Sequence, residues 1–238
     1  MKAAYLVSAL ALVVAAQPVA AAIVTVSSQA DLYKAAGDDG SDGTAPVIID
    51  LGDATSITFS VTGFVSVNSG GNTNDPDGVG SLQGETNSGF GLFSGIKSPT
   101  AGFLAGVVVS SAQRTSAPAA LDFTSAGIGT DFTSLTPLNS QVFFIGDGKN
   151  SGGVTQVFNI PQAGRGRQLV LGLTDACGYS GAPSCYGDNS GSFVVNYTLN
   201  SPASSAAPEP ASWAMMLTGF GAVGGAMRRR QRVSVSFA

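Results

Sequence analysis

The sequence predicts an all-β chain, an antiparallel β-sandwich of jelly-roll type, and three observations carry that expectation. Glycine takes 32 of 238 positions, where average usage near 7% gives about 17. The helix formers Glu and Lys are scarce, whereas Val, Thr, Ser and Phe are plentiful. Runs of alternating or β-branched residues recur along the chain, each bounded by Gly, Asn, Asp or Pro, the residues that turn a backbone.

Taken in order, QADLYKAAG (residues 29–37) is the one stretch of the body that suits a short helix. Strand patterns then follow at APVIIDL (45–51), SITFSVTGFVSV (56–67), GFLAGVVVS (102–110), QVFFIGD (141–147), TQVFNI (155–160), RQLVLGLTD (167–175) and GSFVVNYTL (191–199). In the last run Phe193, Val195, Tyr197 and Leu199 share one face, and Ser192, Asn196 and Thr198 the other. A period of two suits a half-buried antiparallel strand. SPASSAAPEP (201–210) has small residues, three prolines and no large apolar side chain, so it is a solvated spacer.

Both ends of the chain look like addresses. MKAAYLVSALALVVAAQPVAAA (1–22) has one lysine, an apolar stretch and the small triplet at 20–22. That is the layout of a secretory signal peptide cut after Ala22. At the other end PEPASWAMMLTGFGAVGGAMRRRQR (208–232) joins a proline-flanked glutamate, an uncharged run over 213–227 and four arginines. As a helix the uncharged run measures about 22 Å, short against a bilayer core of about 30 Å. The arginines match the positive charge expected on a cytoplasmic flank. The expected organisation is a signal peptide (1–22), a β-sandwich domain (23–200), a linker with the Pro-Glu-Pro motif (201–210), and a sorting helix with basic tail (211–238).

Motif, span and basic end together resemble the PEP-CTERM sorting signal of Gram-negative bacteria, in its PEPxxWAMM variety. The resemblance implies a short C-terminal transmembrane helix and cleavage near Pro208, Glu209 and Pro210 by an exosortase, after signal peptidase has acted. It further implies a place at the cell surface or in the extracellular matrix, and a link to biofilm or exopolysaccharide export. Such tails are also described as ice-binding-protein C-terminal domains, but no threonine ladder repeats at a fixed period in this body. Residues 141–176 also resemble the common body of PEP-CTERM proteins of sandwich type.

Composition narrows the function. Between residues 23 and 208 six basic residues face fourteen acidic ones, a net charge near −8, and Glu85 is the only glutamate among them. That balance excludes nucleic acid, whose phosphates need Lys and Arg. It is compatible with divalent cations, which take hard oxygen ligands. The chain has no histidine, which removes Ser-His-Asp triads, HExxH zinc sites and His-assisted thiols. An Asp/Asp glycosidase needs two carboxylates at a set separation, and nothing in the sequence sets one, so no enzyme is expected. Cys177 and Cys185 are the only cysteines. Export makes a disulfide between them the expectation; two thiolates without histidine would leave a zinc shell half empty.

LVLGLTDACGYSGAPSCYGDNSGSFVVNYTL (169–199) resembles the calcium-dependent galactophilic lectins of bacteria and the wider galactose-binding-like sandwiches. The resemblance implies a calcium ion held by Asp188 and Asn189 of the DNSG turn, by the strand-end Asp175, and by backbone carbonyls of Cys185 and Val67. The loop after Asp175 is longer than in those lectins, and their sugar-contacting residues, a histidine included, have no counterpart here. Read without the family, Asp188 and Asn189 set hard oxygens side by side, and Cys177–Cys185 closure draws Asp175 toward them. The competing reading is an Asx-rich turn with no ion. TNDPDGVG (73–80) is a second acidic loop, with Asp75, Asp77 and Gly78 at calcium-loop positions but Thr73 and Gly84 where acids belong. Phe143, Phe144, Phe158 and Tyr186 are either sugar-stacking aromatics or core. The expectation is an exported, calcium-stabilised carbohydrate-binding module, polysaccharide being its partner. The alternative is a structural or adhesion protein of the envelope that binds no sugar.

Overall fold

The structure, a computed structural model, describes residues 20–68, 71, 73–78, 84–112, 115–162, 164–201 and 210–230. Most of the expected signal peptide therefore lies outside the described residues, as do Pro208 and Glu209. Among the described residues the chain is mostly β, with one C-terminal α-helix. Their strands, numbered in chain order, form three sheets. The first runs β1 (Ala20–Ser27), β13 (Ser190–Asn200), β3 (Ser56–Ser66), β10 (Val157–Asn159) and β8 (Ser134–Leu135). The second runs β2 (Val47–Asp50), β11 (Gln168–Gly172), β6 (Ala105–Val109) and β9 (Val142–Phe144). A third, of short strands, runs β12 (Ser180–Gly181), β4 (Glu85–Asn87), β5 (Ile96–Ser98) and β7 (Leu121–Asp122).

Alternation puts the right faces inward. On β3 Ile57, Phe59 and Val61 are buried while Ser60 and Thr62 are exposed. Along β13 Phe193 and Val195 are fully buried, and Tyr197 and Leu199 pack half-buried against the core. These residues meet Ile49, Val107, Phe143, Leu169 and Leu171 of the second sheet in one hydrophobic core. Phenylalanines run through it, Phe158 packing on Phe59 and Phe143 at 5.3 Å and on Phe132 at 5.7 Å between ring centroids. Each fully buried side chain of that size stabilises the fold by about 1.5–3 kcal/mol. Arg167 is buried at the mouth of β11, where its Nη1 donates to the Ala54 carbonyl at 3.0 Å and to Gln162 Oε1 at 2.7 Å.

The short helix expected at 29–37 is a five-residue 3₁₀ helix, Leu32–Ala36. Asp31 caps it by accepting the Tyr33 N–H, and Gly37, left-handed at φ 90°, ends it. Residues 20–22, the expected cleavage triplet, are the first part of β1, paired with Leu199, Thr198 and Tyr197.

The sorting tail contains a helix, α1 (Pro210–Arg230). No helix among the described residues is long and apolar enough to cross a membrane. The expected transmembrane helix is corrected accordingly: its uncharged stretch is short, carries four glycines and one threonine, and runs into arginine. The described residues between 20 and 201 are one compact unit, and the helix belongs to another.

Candidate functional site

The site begins where β11 leaves its sheet. Leu173 is tied on both sides to the Asp31 segment, donating to the Ala30 carbonyl at 2.8 Å and accepting from Leu32 at 3.3 Å. The next two residues, Thr174 and Asp175, are therefore carried inside, at 1% and 4% exposure. From there the chain loops back through a 3₁₀ turn at Cys177–Tyr179, β12 and a second 3₁₀ turn at Tyr186–Asp188 into β13. Cys177 and Cys185 are disulfide-bonded, with Cα atoms 5.3 Å apart. The closed loop is drawn onto Asp175, whose carbonyl accepts the Ser184 N–H at 3.1 Å.

Beneath the loop lies Tyr186, fully buried. Its hydroxyl accepts the Asp175 N–H at 3.1 Å and donates to the Leu173 carbonyl at 3.3 Å. Above it the Asp42 carboxylate accepts the N–H groups of Tyr186 and Gly187 at 2.8 and 2.9 Å. Slight burial works against ionisation of Asp42, but those two donors outweigh it and hold its carboxyl below the usual range. Asn189 turns inward at the start of β13, its Nδ2 donating to the Ser28 carbonyl at 3.0 Å. Gly191, at φ 93°, lets β13 start this close to its neighbour, since a Cβ there would stand 2.3 Å from the Phe64 carbonyl oxygen.

Asp175 and Asn189 thus end up side by side, and both are buried. Burial pushes the Asp175 carboxyl up to about 7, with the charges of Asp188 and Asp42 adding to the effect, while the Asn189 side chain and the Ala176 N–H oppose it. Asp175 Oδ2 and Asn189 Oδ1 have no hydrogen-bond partner.

Near enough for Asp175 to act on its charge stands Glu85, 1% exposed on the inner face of β4. Burial, with the charge of Asp175, pushes its carboxyl well above the usual range. Thr174 and Asn87 lie beside it and offset part of that push. Even so, Glu85 Oε1 and Thr174 Oγ1 have no partner. Asn87 instead donates to the Asp175 carbonyl at 3.3 Å, joining the third sheet to the loop.

Of the metal-ligating residues expected from sequence, Asp175 and Asn189 are brought together. Asp188 is exposed on its 3₁₀ turn, near enough for Asp175 to feel its charge. Cys185 sits in the loop with left-handed backbone, φ 67°. The β3–β13 ladder stops at Ser66 opposite Ser190, so Val67 falls one step beyond it, in line with Asn189. Among the described residues no three His, Cys, Asp or Glu side chains converge as a metal-holding group. Phe143, Phe144, Phe158 and Tyr186 are all core, at most 2% exposed.

Sequence reasoning assigned no role to Asp42, Thr174 or Glu85. The one available signal was that Glu85 is the only glutamate of the body. The second acidic loop lines a separate cleft of about 340 Å3 with Asp131, Asp147 and Lys149. There Asp77 Oδ1 accepts the Asp147 N–H at 2.9 Å.

At the carboxyl end of the chain, residues 206–231 match the family description "PEP-CTERM protein-sorting motif". The chain carries a PEP-CTERM sorting motif. The PEP-CTERM motif implies export, processing by an exosortase and association with the cell surface. Of the PEP-CTERM signature residues, Pro210 is the first residue of α1. No curated protein and no solved structure matches the chain.

Proposed function

We propose that the protein is an exported surface or matrix module whose non-catalytic body is a galactose-binding-like β-sandwich, stabilised by calcium and directed at envelope or biofilm polysaccharide. The observation that carries the calcium part is the pairing of Asp175 with Asn189, each 4% exposed and each with a partnerless oxygen. An acceptor buried without a donor costs about 1–3 kcal/mol, and a hard cation removes that cost at both oxygens together. Asp188 and the carbonyls of Cys185 and Val67 are the outer part of the same set. The sorting motif supports delivery to the surface, where calcium and polysaccharide are both available.

Calcium at 100 times its dissociation constant should stabilise the fold by about 2.7 kcal/mol, raising Tm by about 5–10 °C for a body of this size. Chelator should reverse the gain, and Asn189→Ala should remove most of it. A glycan array run with calcium and again with chelator tests the sugar part. Calcium-dependent spots support the lectin reading; a blank array with an intact calcium response leaves the structural or adhesion protein. One observation favours that second reading: the four aromatics offered by the sequence for stacking on a sugar are all in the core.

A further inference from the structure

We infer that Glu85 and Thr174 complete a buried divalent-cation site with Asp175 and Asn189, and that the ion clamps the short third sheet onto the body. The inference rests on the calcium reading above and supplies the ion's inner ligands. Among the described residues seven buried side-chain oxygens lack any hydrogen-bond partner, and four of them are Glu85 Oε1, Thr174 Oγ1, Asp175 Oδ2 and Asn189 Oδ1. These four form two neighbouring pairs. Thr174 lies beside the Glu85 carboxyl, Asn189 lies beside the Asp175 carboxyl, and the two carboxyls feel each other's charge.

Thr174 and Asn87 bear on the Glu85 carboxyl, and Asn189 and the Ala176 N–H on that of Asp175, yet each carboxyl keeps one buried oxygen with no partner. Asn189 has already spent an amide N–H on the Ser28 carbonyl, and Asn87 donates to a backbone carbonyl. No lysine or arginine reaches the pair, the one ion pair among the described residues being Lys97 with Asp122. Two carboxylates buried without a counter-charge would each cost several kcal/mol. A dication balances both charges and gives all four oxygens a partner at once. The set is all hard oxygen and holds neither sulfur nor imidazole, which selects calcium-like ions over zinc. Calcium takes six to eight oxygens, so backbone carbonyls and water fill the remaining positions.

The strand order gives this ion a mechanical role. Glu85 belongs to β4, which pairs with β12 and β5, whereas Thr174 and Asp175 continue β11 and Asn189 leads β13. The ion therefore joins three elements that local sequence does not link. Its removal should loosen β4 and β5 before the main sheets.

The test is calcium titration calorimetry on the full chain after chelator treatment, with amide hydrogen exchange read with and without calcium. Wild type should bind calcium, and exchange should slow at residues 85–98 and 173–189 together. Glu85→Gln, close in shape, should weaken binding about tenfold or more, the scale on which loss of a site group is felt. It should also melt higher than wild type without calcium at neutral pH, because the fold no longer has to bury an ionisable carboxyl. Thr174→Val should weaken binding in the same direction, and carries the test if Glu85→Gln does not fold. Wild-type affinity in both variants, with Asp175→Asn losing calcium, would overturn the inference and leave the calcium reading standing. Absence of calcium binding by wild type would overturn both.

Discussion

Asp77 shows how much one carboxyl contributes when a turn holds it against its neighbours. Burial pushes it up to about 6, with the charges of Asp147 and Asp75 adding and the Asp147 N–H opposing. Asp131 and Lys149 complete the charged lining of its cleft. Because the folded value lies above the unfolded one, the folded protein keeps a proton that the unfolded chain releases near pH 4. Its contribution is full below about pH 4 and is lost as pH rises through about 6. Asp77→Asn keeps the acceptor for Asp147 and should flatten this part of the pH profile, giving a variant more stable than wild type near neutrality. Urea midpoints at several pH values between 4 and 8 check it, and parallel profiles for the two proteins would refute the assignment. Phe158 is a second test at this scale. Three phenylalanine rings pack on it, so Phe158→Ala should cost about 3–5 kcal/mol, visible as a Tm lower by roughly 10 °C.

The disulfide loop and the strand that follows it act as one element. Closing a loop this short by a disulfide removes roughly 2–3 kcal/mol of chain entropy from the unfolded state. Replacing both Cys177 and Cys185 with serine should lower stability by about that amount. Calcium affinity should fall with it, because the closed loop is what brings Ser184 and Asn189 against Asp175. Thiol labelling of denatured, unreduced protein should find no free cysteine. Gly191 sets the other end of the element. An alanine there adopts a left-handed backbone and meets the Phe64 carbonyl at 2.3 Å, so Gly191→Ala should destabilise by more than the roughly 1 kcal/mol of an ordinary glycine effect. A Gly191→Ala protein with unchanged Tm would mean that β3 and β13 separate there at little cost.

At the scale of the whole molecule, the sorting motif and the β-rich body belong to separate units. Peptide mass spectrometry of surface or secreted material should therefore find the body intact and residues 213–227 missing. Recovery of the intact tail from mature surface protein would contradict exosortase processing. The same experiment locates the other cut. A mature chain starting at Ile23 keeps the β1 pairs from Asn196 back to Ser192, whereas the pairs of residues 20–22 go with the leader.

Each of the seven strand runs visible in the sequence overlaps a strand of the structure, β2, β3, β6, β9, β10, β11 and β13. The period of two survives because a side chain's face depends on its own strand and the layer beneath it. Six strands escaped notice: β1, eight residues long, whose first three residues were read as the end of a signal peptide, and β4, β5, β7, β8 and β12, each two or three residues long. No period can be read from the two or three positions of the short ones, which exist only because a neighbour offers them a ladder. The export tail was legible for a related reason, since its motif is contiguous. The pocket proposed for a cation was half legible. Asp175 and Asn189 flank one disulfide loop, so chain closure implied their meeting. Glu85 did not show, because nothing in ETN says which face turns inward until β12 and β5 take their places on either side of it. Local pattern determined which residues are strand and which way they face. Only the tertiary structure decided which buried oxygens share a space, because that depends on strand order across the whole chain.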